Sequence, residues 1–369
     1  LGCTENQLTS LDMSANTALT TLNCWSNELT SLDVSSNTAL DNLSTGGNQL
    51  TTLDVSNNTA LTSLSCGGNQ LTSLDVSANT PLTYLNCESN QLTSLDVSSN
   101  TALDNLSTGG NQLTTLDVSN NTALTSLSCD GNQLTYLNMR NGVTDQLTTF
   151  YATNNSFDCI EVNADDIDYA TANWTYENGN IDEGVTFDFI CGAEDQTHWY
   201  VATTGSDNSG SGTLESPLAN IQTGIIVAAD GDTVSVAAGT YVENPDFSGK
   251  NIAVIGEDQE TTIIDGNQAG SVIRLQNGET NDALLDNFTI TNGLNDLGGG
   301  IYIGLNTNPT LKNLIIIDNT VSQKGGGIFC DGTASASISN TQILNNSSGD
   351  EGGGIYISNS SLLLKNSII

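Results

Sequence analysis

The chain has 369 residues, with 42 acidic side chains against 6 basic ones and a formal net charge of −36 at pH 7. At ~150 residues per domain, this length predicts two or three domains. Phosphate binding requires clustered Lys and Arg, but the basic residues are scattered over the whole chain, so the composition excludes a nucleic-acid or acidic-membrane surface. No run of 18 apolar residues is present to span a bilayer.

The first part of the sequence repeats every 21 residues without gaps. Each period has an asparagine, a leucine two residues after it, and a third column that holds Cys or Thr. The asparagine column comprises Asn6, Asn27, Asn48, Asn69, Asn90, Asn111 and Asn132. Residues 29–66 recur identically at 92–129, three periods later, which indicates duplication of a three-coil block.

Each period contains the pattern L-x-x-L-x-L-x-x-N twice. We therefore predict two short strands per coil, L-x-C and L-D-V, with the outer residues facing the core and the middle one facing water. The asparagines are expected to satisfy backbone groups at the corners. This pattern strongly resembles the 21-residue leucine-rich repeats of bacterial surface proteins known as the IRREKO type. The resemblance covers residues 1–139 and implies a leucine-rich-repeat solenoid.

The middle position of the L-D-V segment forms a column of aspartates. These are candidate metal ligands, namely Asp12, Asp33, Asp54, Asp75, Asp96 and Asp117. Carboxylates ~4.8 Å apart repel each other by ~0.9 kcal/mol even at the dielectric constant of water. Two explanations stay open: an acidic face solvated in a salty medium, or calcium ions that bridge the coils. We expect that the protein requires no cofactor, and calcium is the candidate ion for the aspartate column.

Residues 140–192 lose the period and are predicted to cap the repeats, because a terminal coil exposes an apolar end. The segment from Cys159 to Cys191 looks like the closing segment of leucine-rich surface proteins of Bacteroidetes-type bacteria. These two cysteines lie outside the repeat column and close together in sequence, so we predict that they form a disulfide, as an extracellular setting permits. Thr45 and Thr108 replace the column cysteines in two coils, which favours buried thiols over metal ligands.

A linker is predicted at residues 193–198. It contains His198, the single histidine of the chain, which matches no Ser or Cys motif for a catalytic triad. An amphipathic stretch follows at 218–229, preceded by Ser216 as a predicted N-cap and Pro217 in the first turn. We expect one short helix here, closing the end of the second domain.

A different period of 26–27 residues governs the rest of the chain. The tetrapeptide G-G-G-I begins at Gly298, Gly325 and Gly352, and an asparagine column comprises Asn287, Asn313, Asn340 and Asn366. The start of this region resembles the pectate-lyase-like β-helix superfamily, and its repeats resemble those of polymorphic outer-membrane adhesins. The resemblance implies a right-handed parallel β-helix over residues 199–369. Because Leu1 and Ile369 both fall inside repeats, we expect a fragment with an incomplete β-helix.

The expected fold is therefore all-β, with two solenoids in tandem and one short capping helix. A lyase of the β-helix superfamily would need carboxylates that hold calcium and a Lys or Arg base on one face. The nearest arrangement is Asp286 beside Lys312 on adjacent coils, continued by Ser339 and Lys365. The alternative is a cross-strand ion pair without catalytic function.

Three aromatic residues follow the G-G-G-I motifs and form the candidate ligand site. Strand alternation should point Tyr302, Phe329 and Tyr356 outward as a stacked strip beside a flat glycine surface. Sugars stack on such strips. The alternative is a ladder that only stabilises the coil.

These features predict a non-catalytic, secreted cell-surface adhesin or stalk, whose partner is an extracellular glycan or surface protein. The resemblance to Bacteroidetes surface proteins implies export and anchoring, and self-association is a further expectation. Alternatives are a polysaccharide lyase or hydrolase, a purely structural filament, and an ice-binding solenoid. The last is prompted by threonine columns such as Thr9–Thr135, but Leu11 occupies the position that a T-x-T surface would require.

Overall fold

The computed structural model describes residues 1–193 and 195–369 and divides them into two compact units, Leu1–Gly192 and Ala193–Ile369. The division falls at the start of the predicted linker. Residue 194 of that linker lies outside the described residues. His198 is not part of the linker, because it begins the first strand of the second unit.

The first unit is built of short strands, and neighbouring strands of the repeat region within one sheet lie 21 residues apart. Its strands are β1 (Thr21–Asn23), β2 (Asn42–Ser44), β3 (Ser63–Ser65), β4 (Tyr84–Asn86), β5 (Asn105–Ser107), β6 (Thr115–Asp117), β7 (Ser126–Ser128), β8 (Tyr136–Met139), β9 (Thr149–Tyr151), β10 (Cys159–Val162) and β11 (Thr186–Asp188). One parallel sheet has the order β1-β2-β3-β4-β5-β7-β9, and a second has the order β11-β10-β8-β6. Leucines pair with leucines across the larger sheet, as Leu22 does with Leu43.

The leucine, valine and cysteine columns form the core of these coils. Side chains such as Leu43, Val55 and Cys66 are fully buried, whereas the aspartates between them are exposed. Asn48 satisfies the corner as predicted, because its amide donates to the Cys24 and Thr45 carbonyls and accepts from the Leu29 N–H. The first unit is therefore a leucine-rich-repeat solenoid.

The prediction of two strands per coil is wrong for most coils. The L-x-C segments and their L-x-T equivalents form strands from the second coil onward, whereas Gly2 in the first coil forms only an isolated bridge to Asn23; of the L-D-V segments only β6 is a strand. In each L-D-V segment the aspartate accepts a hydrogen bond from the serine N–H two residues later, as Asp54 does from Ser56 at 2.9 Å. The same hydrogen bond, from Ser119 to Asp117, is present in β6, so this turn does not by itself prevent strand pairing.

The cap contains a second helix that the sequence pattern did not predict. Helix α1 (Ile167–Asn173) follows 3₁₀ turns at Thr144–Gln146 and Ala164–Asp166. After α1, Trp174 packs on Phe150 and Phe187, with ring centroids 4.2 and 5.8 Å apart. Cys159 and Cys191 form a disulfide, which ties the start of β10 to the end of the unit.

The second unit is also made of strands that repeat from coil to coil. Its strands are β12 (His198–Val201), β13 (Thr233–Val236), β14 (Gly239–Val242), β15 (Ala253–Gly256), β16 (Thr262–Asp265), β17 (Ile273–Leu275), β18 (Leu284–Thr291), β19 (Leu294–Leu297), β20 (Ile301–Ile303), β21 (Thr310–Ile317), β22 (Thr320–Lys324), β23 (Ile328–Cys330), β24 (Ser335–Ser339), β25 (Gln342–Leu344), β26 (Ser347–Ser348), β27 (Ile355–Ile357) and β28 (Ser361–Lys365).

These strands form three parallel sheets. One sheet runs β12-β13-β15-β18-β21-β24-β28 and also includes β14, β16 and β25; the others run β17-β20-β23-β27 and β19-β22-β26. The long strands β18 and β21 bend at Asn287 and Asn313, which have positive φ angles of 64° and 47°. Asparagine tolerates this left-handed conformation, and the Asn340 amide also donates to Asn313 Oδ1 at 3.2 Å.

The glycines of the G-G-G-I motif allow neighbouring coils to approach closely. A methyl group added at Gly326 would lie 2.4 Å from the Gly353 carbonyl oxygen, and one at Gly299 would lie 2.6 Å from that of Gly326. Gly325 begins its motif with a positive φ of 73°. Gly299 and Gly326 are buried, so the first two motifs offer no glycine surface to a ligand.

Helix α2 (Ile221–Val227) is shorter than predicted and starts later. Leu218 lies in an extended bridge to Val201, so Ser216 and Pro217 cannot begin the helix. The first helical N–H groups, those of Ile221 and Gln222, instead donate to the carboxylate of Glu243 at 2.9 Å each.

Lys250 closes the other end of α2. Its ammonium group donates to the carbonyl oxygens of Ile225 and Ala228 at 2.9 and 2.7 Å. Burial lowers the pKa of Lys250, and the nearby Asp230 and Asp232 oppose that effect. Both ends of α2 are thus capped by charged side chains from later in the chain.

Deletion of residues 46–108 should leave a folded protein, because it removes three whole coils and joins Thr45 to Gly109 in register. Every column then continues, and only the contacts between the lost coils disappear. We expect one cooperative thermal transition for the first unit and an unchanged disulfide.

The matched control is deletion of residues 46–101, which joins Thr45 to Ala102 out of register. This variant should lose cooperative unfolding. Equal behaviour of the two deletions would contradict the requirement for continuous columns.

Candidate functional site

The aspartate column lies on the surface of the first unit, as predicted. All six side chains are exposed, and each of them accepts a hydrogen bond from the serine two residues later. The hydroxyl and the N–H of Ser56 lower the pKa of Asp54, and the neighbouring Asp33 and Asp75 raise it by less. Local hydrogen bonds therefore offset the repulsion along the column.

No group of three or more His, Cys, Asp or Glu side chains converges on a common point among residues 1–193 and 195–369. Each coil supplies one column carboxylate, and that carboxylate is already engaged by its serine. The geometry therefore gives no support to the calcium hypothesis.

Stability should fall on acidification below the ordinary aspartate pKa of 3.8. Hydrogen bonds lower the folded-state pKa of Asp33, Asp54 and Asp75, so their stabilisation is present above 3.8 and is lost as the pH falls through the lowered values. Urea unfolding at pH 6 and pH 3 measures this, and Asp54→Asn with Asp75→Asn should weaken the pH dependence. A rise in stability on acidification would show that repulsion dominates.

The aromatic residues Tyr302, Phe329 and Tyr356 stack in a ladder. Ring centroids are 5.5 and 5.6 Å apart, and the rings are within 14° of parallel. Phe329 is only 4% exposed, so the prediction that all three rings face solvent is wrong for this residue. Because the ring faces contact each other, this arrangement fits a coil-stabilising ladder better than a sugar platform.

The possible lyase residues do not form a reactive cluster. Asp286 and Lys312 are opposite each other on β18 and β21, and Ser339 and Lys365 continue the column. Asp286 Oδ1 accepts a hydrogen bond from the Asn313 amide at 2.7 Å, and the described residues contain no Asp286–Lys312 ion pair. The predicted cross-strand ion pair is therefore also wrong.

His198 has a serine partner that the sequence did not reveal. Its Nε2 lies 2.8 Å from Ser235 Oγ on the adjacent strand, and its ring stacks on Tyr200 at 4.7 Å. No motif links these positions, since they meet only through strand register. The structure gives no third group within the described residues that would orient His198 as a general base.

A polar face of the first unit was also missed. We call it the strand face: the outward side chains of β1–β5, β7 and β9, together with Trp25. Its strand positions hold only uncharged residues, namely Thr21, Asn23, Asn42, Ser44, Ser63, Ser65, Tyr84, Asn86, Asn105, Ser107, Ser126, Ser128, Thr149 and Tyr151. Strand alternation could have identified it, but its aromatic residues occupy different columns of the repeat and form no periodic signal.

Neither helix of the described residues approaches the length and apolarity of a membrane-crossing helix. No protein-family model matches the chain. No curated protein matches it either.

Among solved structures, the chain is similar to a functional domain of InlJ from Listeria monocytogenes, which includes a cysteine ladder, with 26% identity and a TM-score of 0.40 over 80% of this chain and 65% of that one. The Leptospira interrogans leucine-rich-repeat protein LIC12759 has 26% sequence identity and a TM-score of 0.40, and the match covers 42% of this chain and 43% of that one. An internalin (inlF) from Listeria monocytogenes has 30% sequence identity and a TM-score of 0.36, and the match covers 40% of this chain and 46% of that one. The chain spans less than two thirds of each protein, and such TM-scores carry no inference about function.

Proposed function

We propose that the chain is part of a secreted bacterial surface protein of the adhesin or stalk type, which binds an extracellular glycan or surface protein and catalyses no reaction. The observation that carries this proposal is the repetition of outward side chains from coil to coil in both units. Such repetition produces extended surfaces rather than a convergent set of reactive groups. The Cys159–Cys191 disulfide supports an oxidising compartment outside the cytosol.

The proposal includes the family relationships that the sequence resembles. The first unit would belong to the IRREKO-type repeats with a Bacteroidetes-type cap. The second would be a right-handed parallel β-helix of the pectate-lyase-like or polymorphic outer-membrane type, and its three parallel sheets with one strand per coil support a parallel β-helix.

Adhesion of beads coated with the full chain tests the binding function. We expect them to attach to surfaces that carry at least one class of polysaccharide or extracellular protein, and to detach when free chain is added. Beads coated with reduced and denatured chain are the control. Attachment to no surface in a broad panel would contradict the adhesin and leave the stalk.

The lyase alternative has its own test. The purified chain should release no unsaturated sugar from polygalacturonate in the presence of calcium, because Asp286 is engaged by Asn313 and belongs to no group of three or more His, Cys, Asp or Glu side chains within the described residues. Absorbance of the unsaturated product measures this reaction. Turnover that Lys312→Ala abolishes would favour the lyase.

A further inference from the structure

Three exposed aromatic side chains lie on the strand face, three coils apart. Trp25, Tyr84 and Tyr151 are 45%, 36% and 48% exposed. They belong to the coils of β1, β4 and β9, and the sheet order places three strand steps between each pair. At ~4.8 Å per step, each pair is about 14 Å apart across the strands. Thr21 is the residue of β1 in register with Tyr84, and Trp25 lies four positions farther along the chain, so Trp25 and Tyr84 are more than about 14 Å apart along a diagonal of the face. The face thus presents an aromatic residue, two coils of small polar residues, and an aromatic residue again.

The backbone of the next coil supports Trp25. A methyl group added at Gly46 would lie 2.8 Å from Trp25 Cδ1 and 3.2 Å from Nε1. The indole ring therefore rests against Gly46, which must lack a side chain, while nearly half of the residue's surface stays open to solvent. A ring held in this way can stack on a ligand with little loss of side-chain entropy.

The floor of the first interval consists of side chains that are available to a ligand. Asn42, Ser44, Ser63 and Ser65 lie between Trp25 and Tyr84, and the described residues form no hydrogen bond to their side chains. Their hydroxyl and amide groups can both donate and accept hydrogen bonds.

The second interval, between Tyr84 and Tyr151, differs in this respect. Ser107 donates to Glu88, and Ser128 donates to Asp130 at 2.7 Å. These hydroxyls are committed to carboxylates, so the first interval is the better binding surface.

The charge of the surface restricts the ligand further. Arg140 is the only basic residue in the sequence of the first unit, and it is 1% exposed. No exposed cationic side chain of this unit can pair with a uronate, sulfate or phosphate group. Asp41, at the edge of the floor, would repel such groups, although Thr62 Oγ1 donates to it at 2.5 Å.

We propose that the strand face between Trp25 and Tyr84 binds an uncharged polysaccharide chain. The sugar rings stack on Trp25 and Tyr84, and their hydroxyl groups exchange hydrogen bonds with the serine and asparagine side chains of β2 and β3. This inference rests on the proposed adhesin function and specifies its ligand class and its site.

Tryptophan fluorescence reports directly on this surface. Trp174 and Trp199 are 5% and 3% exposed, so acrylamide quenching of the full chain comes mainly from Trp25. The probes are cellohexaose, maltohexaose, mannohexaose and xylohexaose, with hexagalacturonate as the charged comparison. We expect at least one uncharged hexasaccharide to protect Trp25 from quenching in a saturable manner, and hexagalacturonate to give no protection.

Variants locate the site by calorimetric titration. Trp25→Ala and Tyr84→Ala should each weaken binding about tenfold or more, as expected for the loss of a central aromatic contact. Tyr176→Ala is the matched control, because Tyr176 is 57% exposed but lies in the cap. The affinity of this variant for the hexasaccharide should change less than about twofold. Unchanged thermal unfolding verifies that each variant folds.

Tighter binding of hexagalacturonate, or full affinity in Trp25→Ala, would overturn the inference. If coated beads adhere to a protein surface while no uncharged hexasaccharide binds, this inference fails and the adhesin function stands. If the beads adhere to nothing and no hexasaccharide binds, both fail.

Discussion

Replacement of Arg140 by methionine is expected to lower the free energy of unfolding of the first unit by about 3–5 kcal/mol. Arg140 Nη2 lies 3.1 Å from Glu161 Oε2, and the two side chains are only 2% and 5% exposed. The Arg140 guanidinium carbon also lies 4.9 Å from the centre of the Phe189 ring. Removal of the cation leaves a buried carboxylate without its ionic partner.

The pH dependence identifies the mechanism of this loss. Burial raises the pKa of Glu161, and Arg140 opposes that effect, so the folded-state pKa should rise further in the variant. A raised folded-state pKa means that stability decreases as the pH rises from the ordinary value of 4.5 through the folded value. Urea unfolding should therefore show a larger deficit at pH 8 than at pH 5.

A double variant serves as the control for Arg140→Met. Combining it with Glu161→Met removes both charges and should restore part of the lost stability, although Tyr136 and the Cys191 N–H then lose the carboxylate that they contact at 3.1 and 3.2 Å. A double variant less stable than Arg140→Met alone would show that the carboxylate itself stabilises the fold.

Removal of the disulfide by Cys159→Ser with Cys191→Ser should cost roughly 3–4 kcal/mol, because the bond closes a loop with a sequence separation of 32. The open loop gives the unfolded chain more conformations. Thermal unfolding with and without dithiothreitol measures the effect: reductant should destabilise the wild-type chain and leave the double variant unchanged.

Cys66→Thr is the matched control for the disulfide variant. Threonine already occupies this core column at positions 45 and 108, so the substitution should change stability much less. Thiol titration of the denatured, unreduced chain should give six groups, for Cys3, Cys24, Cys66, Cys87, Cys129 and Cys330. Eight groups would contradict the disulfide.

The regular part of the fold was predictable because each coil repeats the same contacts. A side chain such as Asn48 meets its counterparts at a fixed sequence distance, so its column in the sequence is also a column in space. The inward leucines and outward aspartates followed from alternation within three residues. Local pattern and tertiary contact agree for the buried columns of these coils, although most L-D-V segments do not form the predicted strands.

The failures arose where a local signal competes with a distant partner. Ser216 and Pro217 form a good helix start by composition, but Leu218 pairs with β12, and the carboxylate that caps α2 belongs to Glu243, directly after β14. Glu243 lies 22 residues after Ile221, so the sequence around α2 does not indicate this cap.

The candidate sites were harder to predict, because exposure depends on neighbours in adjacent coils. Alternation placed Phe329 on the outer side of its strand, but Tyr302 and Tyr356 cover both faces of its ring. Conversely, Trp25 stays exposed because its neighbour in the next coil is Gly46. The exposure of Phe329 or of Trp25 therefore cannot be predicted from the sequence of its own coil alone.

The burial of Arg140 also bears on resistance to proteolysis. The sequence of the first unit contains one peptide bond that follows a lysine or arginine, the bond between Arg140 and Asn141. Both residues are buried. Cleavage there requires the backbone to enter a protease groove in extended form, which demands local unfolding next to the Arg140–Glu161 pair. The intact first unit should therefore resist digestion of the trypsin type for as long as that pair holds.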